Sequence, residues 1–271
     1  MGVKQAPFYQ LDAFTDVPFK RNPAAICIMP TDLDENLYVE IAKEMNLSET
    51  AFMEEKSIGE YFLRWFTPKH EVPLCGHATL AAAHLVFDLG YPGDKVTFHT
   101  KSGELYAYKS EEGIMMDFPR NDPFPVSELR EINEALGVKP IATQYSDTNM
   151  KLLIEVETEA EVRSTSPDFQ RLLKSDNPLG WYGIIVTSRS DDFDFISRYF
   201  APWRGVNEDP VTGSAHTVLG PYWGKKLGKE SMRAFQASER GGIIGVGLTA
   251  ERVKLSGQSV KIVEGTLTYS T

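Results

Sequence analysis

Glu49 is a side chain whose type and surroundings suit proton transfer. It lies in residues 46–52 (NLSETAF), between Leu47 and the apolar pair Ala51-Phe52. Partial burial would raise the pKa of its carboxyl toward the range useful for acid/base chemistry. The alternative interpretation is a glutamate in an exposed loop or at a strand edge. A helix is expected just before this segment, and its candidate N-caps are Asp32 and Asp34.

A second reactive set, Cys75, Gly76 and His77, opens an almost wholly apolar segment that is typical of a buried helix. The start of a helix presents free N–H groups and the positive end of the helix dipole, which bind anions and favour a thiolate. His77 could donate a hydrogen bond or carry a proton there. Alternatively, it is a partly buried histidine that caps a backbone group.

The histidine spacing argues against a shared metal ion. His70, His77 and His84 recur every seven residues, but Pro73 separates His70 from the predicted helix. Two helical turns, about 10.5 Å, separate His77 from His84, whereas one ion binds its ligands at about 2.1 Å. We therefore expect no metal site.

A similar arrangement recurs in the second half, in residues 207–216 (NEDPVTGSAH). Gly213 opens another predicted helix, and Asp209 comes shortly before it. Asp209 could bind a ligand, or it could be a partner of the helix dipole. Ser214 could bind a ligand oxygen or cap the helix, and His216 is expected on the helix face.

The two halves resemble each other around these predicted helices. The spacing from Gly76 to Gly213 equals that from Phe98 to Phe235, at 137 positions. Two further matches are residues 64–68 (RWFTP) with 198–202 (RYFAP), and 76–78 (GHA) with 213–215 (GSA). A motif, a helix and a strand in the same order at about half the chain length indicate an internal duplication.

The duplication predicts two similar domains, residues 1–120 and 121–271. Their central helices are expected at 76–90 and 213–227, with the last strand able to cross to the first domain. A cleft between such domains, with a helix N-terminus on each side, could hold a carboxylate. Two unrelated α+β domains that share a strand–turn–helix are the alternative.

The composition and net charge of the chain argue against several classes of binding partner. The chain has 271 residues and a formal net charge of −10, which argues against nucleic acid as a partner. Two cysteines are too few for a disulfide framework, and the longest apolar stretch, around 78–87, is too short to span a membrane. We expect a cytoplasmic protein. The glycine-rich residues 241–247 precede a predicted strand rather than a helix, so they are not a dinucleotide-binding loop.

Seven segments, taken in order, run nearly from end to end of the chain: 21–25 (RNPAA), 46–52 (NLSETAF), 63–68 (LRWFTP), 71–79 (EVPLCGHAT), 199–202 (YFAP), 208–216 (EDPVTGSAH) and 263–265 (VEG). In these segments the chain resembles the PhzF-like (phenazine biosynthesis protein F) family. It departs from the family at Arg21, where glycine is common before Asn-Pro-Ala.

The resemblance implies an α+β fold like that of diaminopimelate epimerase, in which two pseudo-symmetric domains each wrap a mixed sheet around a central helix. It also implies a homodimer, no cofactor, and an activity such as isomerisation of a dihydro-hydroxyanthranilate. By motif position, Glu49 would be the acid/base, and His77 and Asp209 would bind and polarise the substrate. The remaining expected substrate-binding residues are Asn22, Ser48, Gly76, Gly213 and Ser214.

The sequence therefore favours a cofactor-independent isomerase that acts on a small carboxylate-bearing metabolite. One alternative is a racemase or epimerase that uses Cys75, although Thr212 stands at the matching position in the repeat and is not a thiol. The other is a non-catalytic member of the family that binds a ligand or a protein.

Overall fold

The computed structural model describes residues 3–20, 22–30, 34–111 and 113–270. Arg21 and Asp32, which the sequence analysis singled out, lie outside the described residues. Backbone contacts divide the chain into two compact units. Unit 1 is Met1–Asp117 with Ser256–Thr271, and unit 2 is Phe118–Leu255.

Unit 1 is a mixed sheet with two helices. Its helices are α1 (Glu35–Met45) and α2 (Gly76–Asp88). Its strands are β1 (Val3–Ala13), β2 (Asn22–Ile28), β3 (Thr50–Ser57), β4 (Glu60–Phe66), β5 (Glu71–Val72), β6 (Lys95–Thr100), β7 (Gly103–Ser110), β8 (Gly113–Pro119) and β17 (Ser259–Ser270). The last two residues of β8 belong to unit 2.

Unit 2 has the same composition of a mixed sheet and helices. Its helices are α3 (Arg130–Leu136), α4 (Glu159–Ser164), α5 (Phe169–Lys174) and α6 (Gly213–Leu227), with a 3₁₀ turn at Pro202–Arg204. Its strands are β9 (Phe124–Pro125), β10 (Pro140–Ser146), β11 (Lys151–Val156), β12 (Gly183–Arg189), β13 (Phe195–Phe200), β14 (Ser231–Gln236), β15 (Gly242–Leu248) and β16 (Arg252–Gly257). The last two residues of β16 belong to unit 1.

The strands of the two units repeat one pattern of pairing. In unit 1 the order β1, β2, β3, β4, β6, β7 pairs antiparallel, parallel, antiparallel, parallel and antiparallel. In unit 2 the order β10, β11, β12, β13, β14, β15 pairs in the same sequence of directions. In both units the long apolar helix connects the two strands of the second parallel pair. The fold is therefore the pseudo-symmetric α+β arrangement of diaminopimelate epimerase.

The central helix of unit 1 is buried on all sides. Residues 77–83 of α2 are all buried, and the helix packs against β1, β2, β3, β7 and β17. Burial of a whole helix surface requires the apolar composition that the sequence shows there. The helix ends at Asp88, two residues before the end of the predicted span. The predicted span of the second helix, 213–227, coincides with α6.

In both central helices, a side chain donates a hydrogen bond to the carbonyl of the N-cap residue four positions earlier. The Thr79 hydroxyl donates to the Cys75 carbonyl at 2.6 Å, and His216 Nδ1 donates to the Thr212 carbonyl at 2.8 Å. Because a carbonyl can only accept, the His216 proton sits on Nδ1. Full burial lowers the pKa of His216 to about 4, so the ring is neutral at pH 7.

An arginine–glutamate pair holds the chain before each central helix. Arg64 Nε and Nη2 donate to the two oxygens of Glu71, both at 2.8 Å. Arg198 makes the same two-pronged contact with Glu208, at 2.7 and 2.8 Å. The arginines come from β4 and β13, and the glutamates lie a few residues before α2 and α6. Each pair therefore fixes the path from a strand to a helix N-terminus.

No helix within residues 3–20, 22–30, 34–111 and 113–270 is both long enough and apolar enough to cross a membrane.

Replacing Arg64 with lysine should destabilise the protein by about 2 kcal/mol, because lysine cannot reproduce two parallel charge-assisted hydrogen bonds. Urea unfolding at pH 7 measures the change. The matched control is Arg130→Lys. The Arg130 side chain is 89% exposed in its pair with Glu134, so this change should lower the free energy of unfolding much less. Equal losses in the two variants would show that the Arg64–Glu71 geometry contributes nothing beyond a surface ion pair.

Candidate active site

Glu49 reaches its position through a left-handed turn after α1. The helix ends at Met45, and Asn46 takes a φ of 51° while its N–H donates to the Ala42 carbonyl at 3.2 Å. Asparagine tolerates this conformation better than most residues. Four residues after Asn46 the chain enters β3, and Glu49 immediately precedes the first residue of that strand. Its side chain is 20% exposed, which excludes the freely exposed glutamate of the alternative interpretation.

Cys75 and His77 are positioned by the start of α2. Cys75 is the extended N-cap residue, and its side chain does not cap the helix. Gly76 is the first helical residue, and His77 follows it. Both side chains are buried, with Cys75 6% and His77 5% exposed.

The structure brings these three side chains together. His77 Nε2 lies 3.6 Å from Glu49 Oε2, and Cys75 Sγ lies 3.4 Å from His77 Nδ1. Burial raises the pKa of the Glu49 carboxyl, while the Ser48 and Cys75 side chains act in the opposite direction. Glu49 can therefore hold a proton at higher pH than an ordinary glutamate and release it to a nearby acceptor. The three residues form the Glu49–Cys75–His77 cluster.

The other predicted residues of unit 1 divide into two groups. Ser48 directly precedes Glu49, and Gly76 lies between Cys75 and His77, so both belong to the surroundings of the cluster. Asn22 is the first residue of β2, is 1% exposed, and pairs with Ala13 on β1. Its role in substrate binding stays a prediction.

The predicted residues of unit 2 lie around the start of α6. The Thr212 hydroxyl donates to Asp209 Oδ2 at 2.5 Å. The Gln236 side chain donates to the Asp209 carbonyl at 2.7 Å and accepts from the Thr212 N–H at 2.8 Å. Gly213 begins the helix, and the carbonyl of Ser214 accepts from Asn149 Nδ2 at 2.6 Å. Asp209 is thus held in a polar network, and its catalytic role stays a prediction.

Sequence reasoning missed a buried cation in unit 2. Lys151 begins β11, is 6% exposed, and donates to the Tyr199 hydroxyl at 3.0 Å. Burial lowers the pKa of Lys151 to about 8, while the charge of Asp209 raises it and that of Arg204 lowers it. The available signal was a lone lysine at the head of the apolar run 151–156 (KLLIEV).

The internal repeat identifies the residue of unit 2 that aligns with Glu49. Phe52 pairs with Arg64, and Val186 pairs with Arg198, so the aligned arginines make Gly183 the counterpart of Glu49. A Cβ atom on Gly183 would lie 2.2 Å from the Tyr199 hydroxyl oxygen. The Tyr199 side chain therefore occupies the space next to Gly183, and this position of the repeat carries a carboxylate in unit 1 and none in unit 2.

Comparison with known protein families shows to which family the chain belongs. The model of the phenazine biosynthesis-like protein family, PhzC-PhzF, matches residues 11–265. The chain belongs to this family. The match spans both units, so it confirms the resemblance that the sequence motifs indicated.

Relatives in the family cover nearly the whole chain. An uncharacterized isomerase of Halalkalibacterium halodurans is 47% identical over 96% of this chain and 98% of its own length. A human phenazine biosynthesis-like domain-containing protein is 42% identical over 97% of this chain and 99% of its own length. The family is one of isomerase-type and epimerase-type proteins, and the chain is an isomerase-type enzyme.

Solved structures confirm the fold. A PhzF family protein of Enterococcus faecalis superposes with a TM-score of 0.92 at 39% identity, over 97% of this chain and 99% of that one. A hydroxyproline epimerase of Agrobacterium vitis superposes with a TM-score of 0.63 at 10% identity, over 97% of this chain and 92% of that one. The second likeness establishes a shared architecture only.

The lowered pKa of Lys151 predicts a measurable pH dependence of stability. Between pH 8 and about 10.5 the unfolded chain keeps a proton on this lysine that the folded protein has released. Stability of the wild type relative to Lys151→Met should therefore rise with pH in this window, by up to about 1.4 kcal/mol per pH unit. Urea unfolding of both proteins at pH 7.5 and 9.5 measures the difference. Parallel pH profiles would mean that Lys151 titrates normally.

Proposed function

We propose that the chain is a cofactor-independent isomerase that moves a proton between two carbons of a small carboxylate-bearing substrate, with Glu49 as the acid/base. The observation that carries this proposal is the partly buried Glu49 carboxyl with a raised pKa, 3.6 Å from His77. A carboxyl in such surroundings can act as a base in one half of a reaction and as an acid in the other.

The proposed reaction keeps atoms and electrons in balance. The Glu49 carboxylate removes a proton from a carbon next to an unsaturated or electron-withdrawing group, and the C–H electron pair enters the conjugated system. The protonated Glu49 then returns the proton to another carbon on the same face, and the double bond shifts. Substrate and product have the same composition, so no oxidant or reductant is consumed.

Charge that develops on the substrate needs a stabilising partner. His77 is close enough to Glu49 to contact the same ligand and can donate a hydrogen bond from its ring. The N–H groups at the start of α2, from Gly76 onward, favour a carboxylate or an oxyanion. In this proposal Ser48 and Asn22 also bind substrate, as do Asp209, Gly213 and Ser214 of unit 2.

A racemase or epimerase that uses Cys75 is the second candidate. The 3.4 Å contact between Cys75 Sγ and His77 Nδ1 favours it, because a histidine next to a cysteine can activate the thiol. Thr212 stands at the matching position of α6, so a second thiol is missing there. The homodimer and the cytoplasmic location remain predictions, as does the absence of a nucleic-acid or membrane partner.

Replacement of Glu49 by glutamine should lower proton transfer by about 10²–10⁴ and leave ligand binding intact, because the amide keeps the shape of the side chain but cannot take up the proton. The test substrates are a dihydro-hydroxyanthranilate and a cell metabolite extract, incubated in deuterated water. Mass spectrometry measures deuterium incorporation. The control is Glu55→Gln, which changes an exposed carboxylate on the adjoining strand β3. Full exchange in Glu49→Gln would refute the proposed role, and exchange in no substrate would favour a non-catalytic binding protein.

Replacement of Cys75 by serine separates the two candidate enzymes. The isomerase should keep proton transfer within about tenfold of the wild type, because a serine hydroxyl can still hydrogen-bond to Glu49 and His77. A thiol-dependent racemase should lose about 10²–10⁴. Chiral chromatography and NMR of the products distinguish inversion at a stereocentre from migration of a double bond. Inversion that disappears in Cys75→Ser would establish the racemase.

A further inference from the structure

The Glu49–Cys75–His77 cluster offers three different ligand types at one point. A carboxylate oxygen, a thiol sulfur and an imidazole nitrogen, one from each residue, all lie within 4.8 Å of one another. Histidine spacing along the sequence could not reveal this set, because Glu49 is 26 positions before Cys75. The set also differs from the histidines every seven residues, which helical geometry keeps apart.

The distances suit a tetrahedral zinc-like ion. With Zn–S of about 2.3 Å and Zn–N of about 2.1 Å, tetrahedral geometry separates S and N by about 3.6 Å and N from a carboxylate O by about 3.4 Å. The corresponding distances here are 4.0 Å from Cys75 Sγ to His77 Nε2 and 3.6 Å from His77 Nε2 to Glu49 Oε2. Cys75 Sγ lies closer to the other ring nitrogen, His77 Nδ1, at 3.4 Å. Binding of the ion therefore requires the His77 ring to rotate about its Cβ–Cγ bond until one nitrogen faces both Cys75 Sγ and the Glu49 carboxylate.

The elements around the cluster limit how far the ligands can spread. Cys75 and His77 lie two residues apart at the start of the buried helix α2, and the Arg64–Glu71 pair holds the chain that leads into it. Glu49 adjoins β3, which pairs with β2 and β4. Metal affinity benefits when ligands are held near their bound positions before the ion arrives.

The ligand set also indicates which ions it would select. Thiolate and imidazole favour Zn²⁺ and Cd²⁺ over Mg²⁺ and Ca²⁺, which prefer oxygen ligands. Three protein ligands leave a fourth tetrahedral position for water or another small ligand.

We propose that the Glu49–Cys75–His77 cluster binds one thiophilic divalent cation, of the Zn²⁺ or Cd²⁺ class, and that the bound ion inhibits the enzyme. An ion on Glu49 occupies the carboxylate oxygen that would accept the substrate proton. The inhibitory part rests on the proposed function, whereas the binding part rests only on the three ligands.

Titration of the reduced, metal-free protein with Cd²⁺ tests the binding part. A thiolate-to-cadmium charge-transfer band in the ultraviolet should grow and saturate at one ion per chain. Cys75→Ser should abolish the band, and Glu49→Gln and His77→Asn should each weaken Cd²⁺ binding by at least about tenfold. Zn²⁺ should displace Cd²⁺, and a large excess of Mg²⁺ should not. Circular dichroism verifies that each variant is folded. If Cys75→Ser does not fold, the site is tested by the weaker Cd²⁺ binding of Glu49→Gln, which retains Cys75 and His77.

Cys27→Ser is the matched control for the thiol. Cys27 lies on β2, is 0% exposed, and burial raises its pKa to about 12, so its loss should leave the Cd²⁺ titration unchanged. No band in the wild type at excess Cd²⁺ would overturn the proposal. Loss of the band in Cys27→Ser would do so as well. The same holds if Glu49→Gln and His77→Asn bind Cd²⁺ with the affinity of the wild type.

Deuterium exchange distinguishes this proposal from the proposed function. Cd²⁺ at saturation should stop exchange in the wild type, and a chelator should restore it. If metal-free Glu49→Gln has lost exchange while the Cd²⁺-saturated wild type exchanges at full rate, the inhibitory part is wrong and the isomerase proposal stands. If metal-free Glu49→Gln exchanges at full rate while the cadmium band persists, the isomerase proposal is wrong and the cation site stands.

Discussion

The two-pronged contact between an arginine of a strand and a glutamate a few residues before the next central helix is the constraint on which the site depends. Arg64–Glu71 and Arg198–Glu208 hold the chain where it leaves a strand and enters a central helix. Burial alone would raise the pKa of Glu71, but hydrogen bonds from Arg64 and Lys101 outweigh it and lower the pKa. The pair therefore stays charged over the neutral range. Together with the packing of α2 against β3, the pair fixes the N-terminus of α2 and the Cys75 and His77 side chains.

The same scaffold has acquired different chemistry in its two halves. In unit 1 the position before β3 carries Glu49, and the helix start carries Cys75 and His77. In unit 2 the aligned positions are Gly183, Thr212 and Ser214, and the Tyr199 hydroxyl lies against Gly183. Both units have the same backbone path, and in both a side chain donates a hydrogen bond to the N-cap carbonyl of the central helix. The side chains that can transfer a proton differ, so the reaction we propose uses one carboxylate rather than a matched pair of thiols.

Much of the fold could be predicted from the sequence, because the duplication and the two central helices leave direct patterns in it. The apolar residues of α2 and the glycines that open the two central helices, Gly76 and Gly213, predict these helices without any knowledge of contacts. The Glu49–Cys75–His77 cluster could be predicted only in part. Its members come from separate segments, and their distances depend on how β3 lies beside the start of α2. Lys151 was missed for a related reason. A lysine at the start of a strand is usually exposed, and its burial next to the Tyr199 hydroxyl depends on tertiary contacts that the sequence does not show.

The pairing of β17 with β1 has a consequence for the order of folding during synthesis. The two strands pair from Val3 with Ser270 to Ala13 with Ser259, so the sheet of unit 1 is completed by residues that leave the ribosome after all of unit 2. Unit 2 has every one of its own residues available earlier, and domains generally fold as units as they emerge. Unit 1 must wait with one side of β1 unpaired, and an unpaired strand edge can associate with other chains. Nascent chains that stall between residues 118 and 255 would therefore be the ones most in need of a chaperone.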